Sequence, residues 1–488
     1  MDLTVAGRRS ALALTPRARR MLRFAGPAVV LFVAAVTRLA GLGHPPELVY
    51  DEATYVRDAW TTWRIGTEAT WPDGSSWDFA RGASDLYDAD APRFAAHPPL
   101  GKWLIGLGMV LAGPASSFGW RIVVAIAGIL LVGLTMLVAH RLTRSLLIAT
   151  IAGGLLAITG DAIVLSRIAI LDGLLAFLVL LGVWFVLIDG DRQRGRPAAL
   201  WRPWLLAAGL AFGAATAVKW SGAWFLAAFG IYAVVVGALA LRRAGERRWA
   251  LRGLLGQGAV SFLTMVPAAL LVYAASWAGW FTARTAYDRT PGANVLADWL
   301  RYQAEMLAFG VSDDIPHLYQ ADAITWPLLL RPTAFWFIPT YRGEQGCASE
   351  ICGSEIIPLP NPLVWYASIA AVIYLLVRLV LRRERPVAAV LLGVAAGWVP
   401  WLFFTGRTVF QYYTIVCEPF LVIALAMALG DVLARGAASR RRRTVGRWLV
   451  GGFLVLVCAA SVYFWPLWEG QQIDFGVLQG HWWLPGWK

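Results

Sequence analysis

The stretch from Phe24 to Tyr55 reads FAGPAVVLFVAAVTRLAGLGHPPELVYDEATY, and its reading decides that of the whole chain. Residues 24–43 are an apolar run of about 20 residues, long enough to cross a hydrocarbon layer of roughly 30 Å. Arg8, Arg9, Arg17, Arg19, Arg20 and Arg23 precede it, so the positive-inside rule keeps the N-terminus cytoplasmic. The run has no obvious small-residue cleavage site and reads as a retained anchor. Beyond it, residues 44–98 hold ten acids against four arginines, as suits a loop on the far side of the membrane. The adjacent pair Asp51-Glu52 opens that loop.

The composition extends this reading to the full length. Of 488 residues, 58% are hydrophobic and 15% charged, with mean hydropathy +0.59. A soluble domain carries about a quarter charged residues. The net charge of +13 would suggest nucleic acid in a soluble protein. Here the arginines cluster in short linkers between apolar runs, which is the signature of a polytopic membrane protein and excludes nucleic acid as the partner. The 26 Trp suit interfacial belts, with a few free to stack on sugar. Cys417 and Cys458 sit in apolar runs as packing. Cys347 and Cys352 lie in a predicted external loop, where an oxidising compartment favours a disulfide over free thiols.

The short apolar stretch 100–113 sets the topology. If it crossed, every later basic linker up to the tail would fall outside. If it lies in the interface, Arg141/Arg144, Arg192/Arg194/Arg196, Arg242/Arg243/Arg247/Arg248, Arg382/Arg383/Arg385 and Arg440 to Arg443 all fall inside, satisfying the charge rule at each linker. The expected fold is therefore all-α. About eleven spans are expected, at 24–43, 120–139, 146–161, 170–188, 203–219, 222–241, 255–276, 362–381, 387–404, 412–434 and 447–465. The C-terminus is external. Two large external loops, 44–119 and 277–361, carry juxtamembrane helices and fold over the outer mouth. The domain division that follows is 1–276, 277–361 and 362–488.

This topology gathers unusual residues on one side. Asp51 and Glu52 are there, as is His97-Pro98-Pro99-Leu100-Gly101-Lys102. Ser166-Arg167 through Asp172 lies at the turn between the third and fourth spans, and Lys219-Trp220-Ser221-Gly222 at the turn between the fifth and sixth. Arg407 falls between the ninth and tenth. Ionisable groups at a membrane edge are costly and are functional candidates by default. Arg167, Lys219 and Arg407 form a set of cations able to converge on a phosphate, Arg by forked hydrogen bonds and Lys as a point charge. A facing carboxylate could take a proton from a hydroxyl. Together they describe transfer of a group from a lipid phosphate to an acceptor outside. Singly, each has a structural alternative: a solvated loop pair for Asp51-Glu52, a rigid turn for His97-Pro98-Pro99, an ion pair for Arg167 with Asp172, and headgroup snorkelling for Lys219 and Arg407. A transporter is disfavoured, because the charges collect on one face and no paired broken helices appear in two matching halves.

These residues resemble the protein O-mannosyltransferase family, of the membrane GT-C glycosyltransferase fold. The likeness rests on Asp51-Glu52, His97 through Lys102, Ser166-Arg167 through Asp172, Lys219 through Gly222, and Trp326-Pro327-Leu328-Leu329-Leu330-Arg331-Pro332. It implies transfer of mannose, with inversion, from a polyprenyl-phosphate mannose to Ser or Thr hydroxyls of a secreted or membrane protein. The setting would be the outer face of the plasma membrane, with a link to the secretion machinery. Asp51 would be the base and Glu52 would position acceptor or sugar. Arg167 would contact the lipid phosphate, with Asp172 supporting it, and His97, Lys102, Lys219, Arg331 and Arg407 would complete the substrate site. No cofactor or metal is implied. Eukaryotic members carry a trefoil-like MIR domain in the large loop after the seventh span; here that loop has only about 85 residues, so the chain looks bacterial. The alternative is a transferase of the same fold that moves a lipid-linked sugar to a glycolipid or cell-wall glycan.

Overall fold

The computed structural model describes residues 16–193, 199–312, 315–435 and 439–488. Arg8, Arg9, Arg194 and Arg196 of the basic segments lie outside these. Helix α1 (Pro16–Leu39) leads into the first loop, which holds α2 (Glu52–Ile65), β1 (Ala69–Thr70), α3 (Ser76–Ala80), β2 (Asp88–Pro92) and α4 (Leu100–Ala112). The bundle continues with α5 (Ser117–Thr143), α6 (Leu146–Ala157), α7 (Gly160–Val164), α8 (Leu171–Gln193), α9 (Pro203–Val218) and α10 (Gly222–Arg243). After α11 (Trp249–Leu251), a π-helical turn at Arg252–Gln257 runs into α12 (Gly258–Ser276). The second loop holds α13 (Ala278–Thr282), α14 (Val295–Ser312), a 3-10 turn at Ala323–Leu328, β3 (Trp336–Tyr341) and β4 (Ile351–Ile356). Helices α15 (Pro362–Arg382), α16 (Arg385–Trp398), α17 (Glu418–Arg435) and α18 (Arg440–Glu469) return to the bundle, followed by β5 (Ile473–Asp474) and α19 (Phe475–Gly480).

The chain is mostly helical because lipid offers no partner for a free peptide group, and a helix satisfies its own. Helix ends are closed by local chemistry. The Ser116, Ser145 and Asn361 side chains accept from the first backbone N–H groups of α5, α6 and α15. Seven helical segments among the described residues are long and apolar enough to cross a membrane, and the helices at 24–39, 100–112, 146–157 and 203–218 are shorter. Each of the eleven expected spans contains a helix, while length and composition alone support seven crossings. The α4 helix has 13 residues, about 20 Å at 1.5 Å per residue, well short of the bilayer.

Helix α8 is the most enclosed of the seven, with 72% of its apolar window buried against 22% for α12 and α18. It packs on α5, α9 and α10 and acts as the axle of the bundle. Leu263, Leu271, Val380 and Val455 stay exposed on α12, α15 and α18, as lipid-facing residues do.

Both loops carry sheet that the sequence reading lacks. Strands β1 and β2 pair antiparallel. A second sheet has the order β3-β4-β5, with Trp336 opposite Ile356 and Gly353 opposite Ile473. The expected disulfide is formed between Cys347 and Cys352 and closes the β3–β4 connection. Because β5 belongs to the C-terminal tail, residues 473–474 are stitched onto the second loop rather than standing apart from it.

Candidate active site

A tight turn and a close helix contact, each at a glycine, build the site. The α9 helix ends where Lys219 turns extended, at φ −154° and ψ 135°, and α10 restarts at Gly222. A Cβ on Gly222 would lie 2.6 Å from the backbone of Ala215, so only glycine allows a return this tight. Likewise, a Cβ on Gly101 would meet the Leu171 side chain at 2.5 Å, and its absence seats α4 against the start of α8. Lys219 stands beside Asp172, with Nζ donating to Oδ1 at 3.0 Å. The same ammonium stands 3.9 Å from the centroid of the Tyr413 ring, a cation–π contact.

Asp51 precedes α2 and its carboxylate makes no capping hydrogen bond to that helix. Burial, partly offset by Lys219 and reinforced by Asp172, pushes it up to about 6. Tyr50, just before it, adopts a left-handed φ of 50°. Its ring stacks on Phe335 at 4.6 Å and meets Tyr412 edge-on at 6.0 Å. A bulky residue held in that region is a conformational outlier that the surroundings must enforce, a feature that clusters at functional sites.

Next to this group lies a cavity of about 480 Å³. His97, Lys219, Ser221 and Arg407 line its polar part, and Leu270, Met306, Leu307 and Val311 are among its apolar walls. Arg407 donates to the Gly310 carbonyl and lies over Trp401. Burial, with Lys219, Arg407 and Lys102 nearby, holds the His97 imidazole well below its usual range, so it is neutral at pH 7. Neutral imidazole keeps one N–H to donate. Cations at the polar part of an otherwise apolar cavity suit a phosphate attached to a hydrocarbon.

Four of the residues predicted from the sequence stand elsewhere. Glu52 is fully buried. It takes a bidentate contact from Arg121 (Nε to Oε1 2.8 Å, Nη2 to Oε2 2.7 Å) and accepts from the Ala169 and Val49 amides at 2.7 and 3.1 Å. Four hydrogen bonds occupy the roughly four lone-pair sites of a carboxylate, leaving none for acceptor or sugar. Arg167 does not join Lys219 and Arg407, nor does it pair with Asp172. It donates to the Thr37, Ala40 and Gly41 carbonyls at the end of α1 and lies 3.5 Å from Glu469. Lys102 is buried against Glu68 and donates to the His97 carbonyl at 2.9 Å. Arg331 is exposed beyond the 3-10 turn, where its charge is felt by Tyr319.

Arg121 is the residue that sequence reasoning missed. It also donates to the Leu42, Pro45 and Glu47 carbonyls, so a single guanidinium ties down the loop that presents Asp51. Its signal was a lone arginine opening an apolar span on the acidic side. Among the described residues no three His, Cys, Asp or Glu side chains stand together as a metal-ligand set.

An apolar helical bundle with seven helical segments of crossing length among the described residues, and with His97, Lys219 and Arg407 at the polar part of an apolar cavity, defines a multi-pass membrane protein. The family model for dolichyl-phosphate-mannose-protein mannosyltransferase matches residues 112–280, and that for the C-terminal four-transmembrane region of protein-O-mannosyltransferase matches 295–487. The polyprenol-phosphate-mannose–protein mannosyltransferase of Mycobacterium tuberculosis H37Rv is 30% identical over 500 residues, covering 94% of this chain and 91% of its own length. That of Corynebacterium glutamicum is 28% identical, covering 94% and 93%. In three dimensions the fold matches the Saccharomyces cerevisiae protein O-mannosyltransferase Pmt1–Pmt2 complex bound to the sugar donor. The TM-score is 0.73 at 15% identity, over 96% of this chain and 93% of that one. The chain belongs to the protein O-mannosyltransferase family.

Proposed function

We propose that the chain transfers mannose from a polyprenyl-phosphate mannose to Ser or Thr hydroxyls of proteins, with Asp51 as the base. The observation that carries this reading is that Lys219 and Arg407 line the polar part of the apolar cavity, with Asp172 paired to Lys219 and Asp51 within electrostatic reach of both members of that pair. The isoprenoid lies along the apolar walls and the phosphate faces Lys219 and Arg407. Asp51 takes the proton of the acceptor hydroxyl, the oxygen attacks C1 of mannose, and the bond from C1 to the phosphate oxygen breaks. The leaving phosphate is stabilised by cations already in place, which act without reorganisation in a site shielded from water. Neutral His97 supplies one further N–H donor. Asp172 is engaged by Lys219, so Asp51 acts as the single free carboxylate and the displacement inverts the anomeric centre.

Glu52 and Arg121 position the Asp51 loop, Lys102 and Glu68 hold His97, and Arg167 clamps the end of α1. The acceptor approaches past the Tyr50–Phe335–Tyr412 aromatic group. The site faces the outside of the plasma membrane, the N-terminus is cytoplasmic, and eleven helices cross. The acceptors are proteins emerging from the secretion machinery. The test is incubation of the full-length protein in membranes with polyprenyl-phosphate mannose and, in parallel, a Ser/Thr-rich peptide or a glycolipid. α-Mannosyl peptide is the expected product. Turnover onto the glycolipid alone would contradict the reading.

A further inference from the structure

We propose that a second site, an arginine-lined pocket on the opposite face of the bundle, binds the phosphate headgroup of an anionic membrane lipid. Helix α8 connects the two faces. It carries Asp172 at one end and Asp191 at the other, 19 residues apart and so about 28 Å along the helix, close to the thickness of a bilayer core. Around Asp191, the ends of α5 and α8, the middle of α10 and the start of α16 enclose a pocket of about 210 Å³. Arg141, Arg144 and Arg385 line it together with Asp191 and Tyr232. Asp191 lies 3.0 Å from Arg141 and 3.3 Å from Arg144.

Asp191 thus pairs with two guanidiniums, and Arg385 lines the same concave site, so the lining carries three arginines and one carboxylate. Linker arginines that only satisfy the positive-inside rule have no reason to converge on a cavity. Arg247 and Arg248, for instance, are exposed beyond α10 and are not among the residues lining this pocket. Guanidiniums match phosphate oxygens with forked, charge-assisted hydrogen bonds. Basic pockets between membrane helices are a recognised form of anionic-headgroup site.

The walls favour a lipid over a free anion. Leu142, Leu187 and Val236 form the apolar side of the pocket. On α10, Tyr232 and Val236 line it, while their neighbours Ile231 and Val235 are exposed at 67% and 49%. A headgroup seated among the arginines would leave its acyl chains running down this outward apolar stripe.

The probes are phosphatidylglycerol, phosphatidylcholine and inorganic phosphate, added to the full-length protein in lipid-free detergent. Native mass spectrometry and thermal melting are the readouts. The wild type is expected to retain phosphatidylglycerol in preference to phosphatidylcholine and to melt higher with it. Arg144→Gln and Arg385→Gln should each weaken retention about tenfold, as loss of a charge-assisted contact does, while the lysine variants at the same positions lose less. Arg144 is 69% exposed, so Arg144→Gln carries the test if Arg385→Gln fails to fold. Equal retention by wild type and Arg144→Gln, or no preference between the two lipids, would overturn the proposal. Inorganic phosphate raising the melting temperature as much as phosphatidylglycerol would assign the pocket to a soluble anion and overturn it as a lipid site.

Discussion

Asp51 and Glu52 are neighbours in sequence and opposites in environment. Glu52 is saturated by Arg121 and two amides, whereas Asp51 has no capping contact and sits where burial raises it to about 6. Removing one member of a buried ion pair costs about 3–5 kcal/mol. Glu52→Ala is therefore expected to lower the melting temperature and the activity together, and Arg121→Ala to do the same. Loss of activity at an unchanged melting temperature would return Glu52 to a direct role at the substrate. For Asp51 the raised value fixes the sign of the pH dependence. A base must be ionised, so kcat/KM should fall about tenfold per pH unit below 6 and level off above it, measured in the transfer reaction. The same shift means that ionised Asp51 opposes folding: stability present below about pH 4 is lost as pH rises toward 6, by at most about 3 kcal/mol. The acidic pair was legible in the sequence because acids beside a span are rare. Which of the two is free was not, since Arg121 lies 69 positions away and only the folded loop brings it to Glu52.

At the scale of elements, the helices were readable because apolar runs of bilayer length have few other uses in a chain this hydrophobic. The short apolar stretch 100–113 forms the α4 helix at Leu100–Ala112. The sheet was not readable. Strands β3 and β4 are six residues each, and β4 takes its last partner from β5, more than 100 residues on; no local pattern announces such a pairing. The disulfide between Cys347 and Cys352 lies in this sheet region. Closing so short a loop stabilises by about 2 kcal/mol in the chain-entropy picture. Replacing both cysteines with serine is expected to speed amide hydrogen exchange across residues 336–356 while leaving the bundle helices protected. Unchanged exchange there would mean that β5 and α19 alone hold the sheet. Glu355 marks the same contact: it accepts from Trp482 Nε1 at 3.0 Å, and burial pushes it up to about 7.

Across the whole molecule, the arrangement puts two chemistries at opposite ends of α8. One end holds the carboxylates and cations beside the apolar cavity, and the other holds the arginine pocket. The proposed sidedness rests on the positive-inside rule and is open to direct labelling. In a Cys458→Ser background, with buried Cys417 kept, Arg81→Cys is expected to react with a membrane-impermeant maleimide on intact cells. Arg247→Cys should react only after permeabilisation. The reverse pattern would invert the topology. The central claim is tested most directly by mannose transfer from polyprenyl-phosphate mannose to a Ser/Thr peptide in membranes, comparing the wild type with Asp51→Asn at matched expression. A well-placed base contributes about 10²- to 10⁴-fold, so the predicted result is peptide mannosylation by the wild type and a loss of at least about a hundredfold in the variant. Full activity in Asp51→Asn would contradict the account.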